Sequence, residues 1–503
     1  MAQQIFRQLT STKAIIAISA VLFSVFIIAV AFKIGLIGVT ASVVLPIATV
    51  IVVALLVNGK SILYISMTYV VSLGTLIMLA PSVPVGIVVD LIISVGFLGF
   101  LLRSIRHNDF EIFKTPMAGI IYIWIGYNIF QLFNPWAASR VAWFYTMRPF
   151  VIYPLMYFIA AYIIKNRKDW LTLFYFFVTI LVLSGAWGMF QWLHGYMPFE
   201  MNYLQDNDMI HLVYIRGRWR LFGTLLSPAQ FGVSMAIVAQ MALVLLVNRG
   251  GLLYRALMLF LFLFLIFLTV FSGTRAAMVI LPISISVWVI LSRNLKIWAL
   301  AAFAGICFVI LLYIPVNNFY IERVQSAFKP GQDESLNVRL ENRRAMYPWI
   351  LKHPIGGGIG STGALGMRFS PNTRLARFAP DSGYLRVATE LGWIGLIIYL
   401  VLWYKFLSLG IRNQWNVSDP HIKYALLAIV TSMASLLIVE WVQDIIGKIP
   451  FNLLFWILAA LITQATIINT SKDESSENHM LPNKENQGPT NEDDRENRLI
   501  FME

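Results

Sequence analysis

Apolar runs long enough to cross a bilayer recur through most of this chain, and nothing else in the sequence limits its fold so strictly. A hydrocarbon core of about 30 Å is spanned by about 20 helical residues, and within it every backbone N–H and C=O must find a partner inside the protein. Only α-helices or a closed barrel meet that demand, and a barrel would show weak alternation instead of solid apolar runs. The expected fold is an all-α polytopic membrane protein of about 12–14 transmembrane helices with a large, partly helical external loop. Only 13% of the 503 residues are charged, about half the share usual in a soluble domain, so most of these runs have no aqueous alternative.

Fourteen candidate spans can be marked: 14–32, 34–57, 61–80, 85–102, 116–133, 148–164, 170–192, 228–247, 256–271, 276–291, 297–313, 387–404, 424–442 and 451–469. With the N-terminus in the cytoplasm, the connections carrying Lys60, Arg103, Lys165, Arg249, Arg293 and Lys405 all fall inside, following the bias of Lys and Arg toward cytoplasmic loops. The first run has no small-residue cleavage site followed by a soluble domain, and reads as a retained helix. Residues 1–470 then form a transmembrane domain with external loops at 193–227 and 316–386. Residues 471–503 are polar and acid-rich, with too little apolar surface to fold, and read as a disordered cytoplasmic tail.

The net charge of +13 would suggest nucleic acid in a soluble protein, but here much of it sits in short loops where it sets topology. The single cysteine, Cys307, supports neither a disulfide framework nor a thiolate metal site, and reads as a small packing residue. The stretch HPIGGGIGSTG (353–363) has G-x-G-x-x-G spacing at Gly358, Gly360 and Gly363. No strand pattern precedes it, and an external loop cannot meet a cytosolic dinucleotide pool, so the fingerprint reading fails its context. Gly356 to Gly360 are expected to end a helix and turn the chain; a nest of bare amides receiving an anion is the alternative.

The loop 316–386 holds ten Lys and Arg against five Asp and Glu, on the face where topology predicts no such excess. Lipid headgroups or an anionic ligand would account for it, and arginine suits a diphosphate because its planar fork donates paired, charge-assisted hydrogen bonds. Four stretches sharpen this. In RWRLFGTLLSPAQFG, Arg220 stands just before a span, and in FSGTRAAMV, Arg275 sits where two apolar runs meet. Arg339 precedes the helix that ends at the glycines, and PDSGYLRVATELGWIGL places Asp381 ahead of the next span. Topology alone brings three arginines and one carboxylate to one membrane face.

These stretches resemble the O-antigen ligase and polymerase superfamily. The matching motifs are R-x-x-G-T ahead of P-x-x-x-G at Arg220, S-x-x-R at Arg275, R…H-P-x-x-G-x-G from Arg339, and D-S-G-Y-L with E-L-G-x-x-G-L from Asp381 to Leu396. The resemblance implies a GT-C-like membrane glycosyltransferase that transfers a glycan from an undecaprenyl-diphosphate-linked oligosaccharide to an acceptor glycan or glycolipid, without cofactor or metal. Its place would be the outer face of the bacterial cytoplasmic membrane, beside lipids and polysaccharide assembly proteins, with no nucleic acid involved. Arg220, Arg275 and Arg339 would clamp the diphosphate, Asp381 would be the general base with His353 as runner-up, and Tyr384 and Glu440 could touch the acceptor.

Ligases of the family carry histidine in an H-N-x-[YF]-L setting where this chain has Asp381. A carboxylate can also accept a hydroxyl proton, so the exchange preserves base chemistry and favours a polysaccharide polymerase over an O-antigen ligase. Asp90, Glu440 and Asp444 are further suspects as ionisable groups in or near spans, and Glu440 and Asp444, four apart, are expected to share a helix face. The rival readings are a transporter or flippase of an anionic solute and a non-enzymatic subunit of an export machine. No convincing inverted repeat supports the transporter, and the candidate residues gather in outer loops rather than at mid-membrane.

Overall fold

A computed structural model describes residues 59–248, 250–292, 294–315, 318–328 and 334–480. The spans expected at 14–32 and 34–57, and residues 481–503 of the tail expected over 471–503, lie outside the described residues, while residues 471–480 continue the last helix. The apolar runs become helices α1 (Gly59–Leu79), α2 (Gly86–His107), α3 (Ala118–Phe130), α4 (Leu155–Ile163) and α5 (Arg167–His194), followed by α6 (Pro198–Asp206) in the loop 193–227. A two-stranded hairpin, β1 (Tyr214–Ile215) and β2 (Arg218–Trp219), leads to α7 (Pro228–Asn248), α8 (Leu252–Phe271), α9 (Arg275–Ser292) and α10 (Leu295–Tyr313). The second loop folds as α11 (Phe319–Ala327), α12 (Glu334–Lys352), α13 (Gly363–Phe369) and α14 (Gly383–Glu390). Helices α15 (Gly392–Asn416), α16 (Pro420–Val439) and α17 (Phe451–Met480) complete the order.

Among the described residues nine helices are long and apolar enough to cross a membrane: α1, α2, α5, α7, α8, α9, α10, α15 and α16. The protein is an all-α multi-pass membrane protein. Shorter apolar helices cover Ala118–Phe133 and Phe451–Thr466. The run 148–164 is not one span. It breaks into a turn at Arg148–Val151 and the nine-residue α4, because Pro154 has no N–H to continue the ladder. The expected helix 424–442 also stops early, at Val439, so Glu440 and Asp444 lie in a turn and share no helix face.

Burial separates a central layer from a lipid-facing one. In α7 and α16, 83% and 72% of the spanning window is buried, against 6% in α10. The two central helices meet through small and polar side chains, with Gln240 Nε2 donating to Thr431 Oγ1 at 3.3 Å and Ser432 Oγ to the Ile237 carbonyl at 3.5 Å. Hydrocarbon offers polar atoms no partner, so these groups belong at helix contacts. Cys307, expected as a packing residue, instead lies exposed on α10. Lys60 pairs with Asp169 at 2.5 Å and Arg167 pairs with Asp419, which draws the first residues of α1, α5 and α16 to one face.

The glycine stretch serves packing. Helix α12 ends at Lys352, and Gly357 and Gly358 donate their amides to the carbonyls of Thr389 and Glu390, both at 2.9 Å. Gln131 and Asn134 side chains hold the Ile355 carbonyl from the other side. Gly356 has φ +70, and a Cβ there would lie 2.4 Å from the Gly392 nitrogen. Only a bare backbone fits between the α14–α15 junction and the end of α3. The amides proposed as an anion nest at Gly357 and Gly358 are thus consumed within the protein.

Candidate functional site

A cavity of about 670 Å³ opens between the segments 193–227 and 316–386. Its wall comes from the turn after α6 (Met209, Leu212, Val213), the starts of α7 and α9, helix α11, and Ile438, Val439, Trp441, Val442 and Gln443 at the end of α16 and just beyond it. Arg220, Arg275 and Arg323 all line it, and no carboxylate among the described residues does. The first residues of two helices, Pro228 and Ala229 of α7 and Arg275 and Ala276 of α9, face the same space. Helix N-termini carry unsatisfied amides and the positive end of the helix dipole, so they add to the cationic field.

Each arginine is built in differently. Arg220 is fixed by three bonds: Nε to the Ser272 carbonyl at 2.8 Å, Nη1 to the Leu212 carbonyl at 2.8 Å and Nη2 to Thr274 Oγ1 at 2.9 Å. All three acceptors are neutral. Burial, and then the neighbouring Arg323 cation, push the Arg220 guanidinium down to about 10. The neighbouring cations Arg220 and Arg323, with no carboxylate among the described residues of the wall, give the cavity a positive field that suits an anion. Gly273 (φ +61) makes the tight turn ahead of Arg275, and a Cβ there would come within 3.2 Å of Arg220 Nε. Arg323 on α11 donates Nε to the Gly273 carbonyl at 3.1 Å, which ties the loop 316–386 to the same turn.

The other expected site residues are placed as follows. Arg339 lies on α12, and its side chain is outside the described residues. Asp381 precedes Ser382, the N-cap of α14; its carbonyl accepts from the Asp444 amide at 3.1 Å, and it does not line the cavity. His353 is stacked on Trp349 with ring centroids 4.0 Å apart, meets Trp136 edge-on, and its Nδ1 is 2.7 Å from the Trp349 carbonyl. Tyr384 donates to the Leu437 carbonyl at 2.7 Å. Glu440 is 1% exposed, and its Oε2 accepts the amides of Ile445 and Ile446, both at 3.1 Å. Asp90 is paired with Arg148 at 3.0 Å.

Arg220 and Arg275, both expected from the sequence, line the same cavity, and Arg323, which was not expected, lines it with them. The only signal for Arg323 was the cationic excess of its loop, which does not single out one of ten basic residues. On the far side of α9 lies a second cavity of about 860 Å³, lined by α7, α8, α9 and α10 and by Val324, the neighbour of Arg323. Its wall is almost wholly apolar, with Thr269 and Ser286 as its hydroxyls. The two cavities thus share α9 as a wall, the cationic one at Arg275, Ala276 and Val279 and the apolar one from Ala277 to Ile290.

No curated protein matches the chain. Residues 259–400, from within α8 to within α15 and including Arg275, Arg323, Arg339 and Asp381, match the family model of the O-antigen ligases, which bears out the resemblance to the O-antigen ligase and polymerase superfamily.

Proposed function

We propose that this protein is a glycosyltransferase that moves a glycan from an undecaprenyl-diphosphate donor to an acceptor hydroxyl at the outer face of the bacterial cytoplasmic membrane. The observation that carries this reading is the cavity with Arg220, Arg275 and Arg323 in its wall and no carboxylate among its described lining. A diphosphate matches it in charge and in its number of acceptor oxygens. The apolar cavity beside it suits an anion that carries a hydrocarbon chain. Arg339 is retained as a further diphosphate ligand on the strength of its motif.

In the reaction, the acceptor oxygen bonds to the sugar anomeric carbon as the bond from that carbon to the phosphate oxygen breaks. The electron pair leaves on the diphosphate, where the guanidinium groups neutralise the developing charge. The acceptor proton passes to the Asp381 carboxylate. No metal is needed for charge neutralisation in this scheme, because the arginines provide it.

Asp381 in place of the family's histidine favours a polymerase, whose acceptor is another lipid-linked repeat. The test is a reaction of purified protein with an undecaprenyl-diphosphate oligosaccharide prepared from the membranes in which the protein occurs. A ladder of lengthening product, reduced about 10²- to 10⁴-fold in Asp381→Asn, is the expected result. A single shift that requires a second glycolipid makes the protein a ligase. If vesicles containing the protein move the donor across the bilayer without forming any glycosidic bond, it is a flippase and the proposal is wrong.

A further inference from the structure

Asp381 does not line the arginine cavity, yet it is fastened to a segment that does. The five residues 440–444 bond to 381–386 at four points. Gly383 donates its amide, and Ser382 its hydroxyl, to the Glu440 carbonyl, each at 3.0 Å. Asp444 donates its amide to the Asp381 carbonyl at 3.1 Å, and the Asp444 carboxylate pairs with Arg386 Nε at 2.9 Å. Between these ties, Trp441, Val442 and Gln443 form part of the cavity wall.

The ties are buried and closely fitted. The side chains of Arg386 and Asp444 are 16% and 5% exposed, and the guanidinium carbon of Arg386 also lies 5.5 Å from the Phe150 ring centroid. A Cβ on Gly383 would sit 1.7 Å from Glu440 Oε1, and one on Gly447 would sit 1.6 Å from Arg386 Nη2, so both side chains lie directly against glycine backbone. Glu440 closes its own turn by accepting the Ile445 and Ile446 amides. Arg343, from α12, donates to the Trp441 carbonyl and lies 5.0 Å from that ring. Packing of this density transmits displacement instead of absorbing it.

We infer that Glu440, Asp444 and Arg386 are positioning residues that fix Asp381 relative to the arginine cavity, and that Glu440 acts from inside the fold without touching the acceptor. The inference rests on the reading of Asp381 as the base. It goes beyond that reading by assigning the buried carboxylates and Arg386 to the alignment of base and donor. A base must stand within hydrogen-bond reach of its proton, and a displacement of about 1 Å can cost about 10²-fold in rate.

The test compares Asp444→Asn, Arg386→Lys, Asp381→Asn and the double variant Asp381→Asn/Asp444→Asn in the full-length protein. The substrate is the same undecaprenyl-diphosphate oligosaccharide. Hydrogen exchange is followed in peptides covering 381–386 and 440–447. Exchange should rise in both peptides of Asp444→Asn and Arg386→Lys, with kcat falling about 10- to 100-fold and the donor KM unchanged. The double variant should be no slower than Asp381→Asn alone, because Asp444 acts through Asp381. Additive losses, an unchanged kcat, or a loss confined to KM would overturn the inference. If Asp444→Asn does not fold, Arg386→Lys, which keeps the charge, decides by the same readouts. Full turnover in Asp381→Asn would instead show that the base assignment had failed, taking the inference with it.

Discussion

Arg323→Gln is the sharpest test of the arginine cavity, because this residue owes its place in the site to the tertiary structure alone. The substitution keeps a polar side chain of similar reach but removes one of three guanidinium charges from the wall. A unit charge about 4 Å from a phosphate oxygen is worth about 4 kcal/mol at an effective dielectric of 20. Arg323 is half-buried, so solvent reduces that figure, and a charge-assisted hydrogen bond of about 1.5–3 kcal/mol marks the lower side. A loss of about 2–4 kcal/mol corresponds to a fall in kcat/KM of about 30- to 1,000-fold. Arg323→Lys should recover part of it, since the charge returns without the fork. The assay is initial rate against donor concentration in nanodiscs at low salt, beside thermal unfolding to confirm that the lost bond to the Gly273 carbonyl leaves the fold intact. Arg323→Gln retaining kcat/KM within about 3-fold would refute the assignment of this cavity to the diphosphate.

Three more outcomes follow from the geometry. A cation loses its charge as pH rises through its pKa, so donor capture should weaken as pH climbs toward about 10, where burial and Arg323 hold Arg220; in Arg323→Gln that limb should move to higher pH, and kcat/KM against pH reads it. His353→Ala should cost about 1 kcal/mol by removing the stack on Trp349, seen as a lower Tm with turnover persisting; an inactive variant with unchanged Tm would make His353 a base. Gly392→Ala should cost about 3 kcal/mol or more, because its Cβ would lie 2.1 Å from the Pro354 carbonyl oxygen at φ +72, and size-exclusion profiles and Tm would report it.

How far the sequence could be read depended on the range of the force involved. The spans were legible because hydrocarbon imposes its demand on each run of residues independently of the others. The break at Pro154 was in principle legible too, yet apolarity hid it, since α4 is buried among neighbours where it needs no full span. Arg220 and Arg275 were legible through motif and membrane side together. Glu440 and Asp444 were not: they read as one helix face, whereas α16 ends at Val439 and the two side chains turn to different partners, one to local amides and one to Arg386.

By itself the sequence determined an all-α multi-pass membrane protein and a surplus of basic residues in the loop 316–386. Those properties follow from composition taken a span at a time. Tertiary structure alone decided which arginines share a cavity, that Arg323 joins Arg220 across the Gly273 turn, and that Gly357 and Gly358 give their amides to the α14–α15 junction. It also decided that the Asp381 backbone is tied to the cavity wall through residues about 60 positions away. Such pairings depend on packing between distant segments, and neither hydropathy nor charge count carries information about which segments meet.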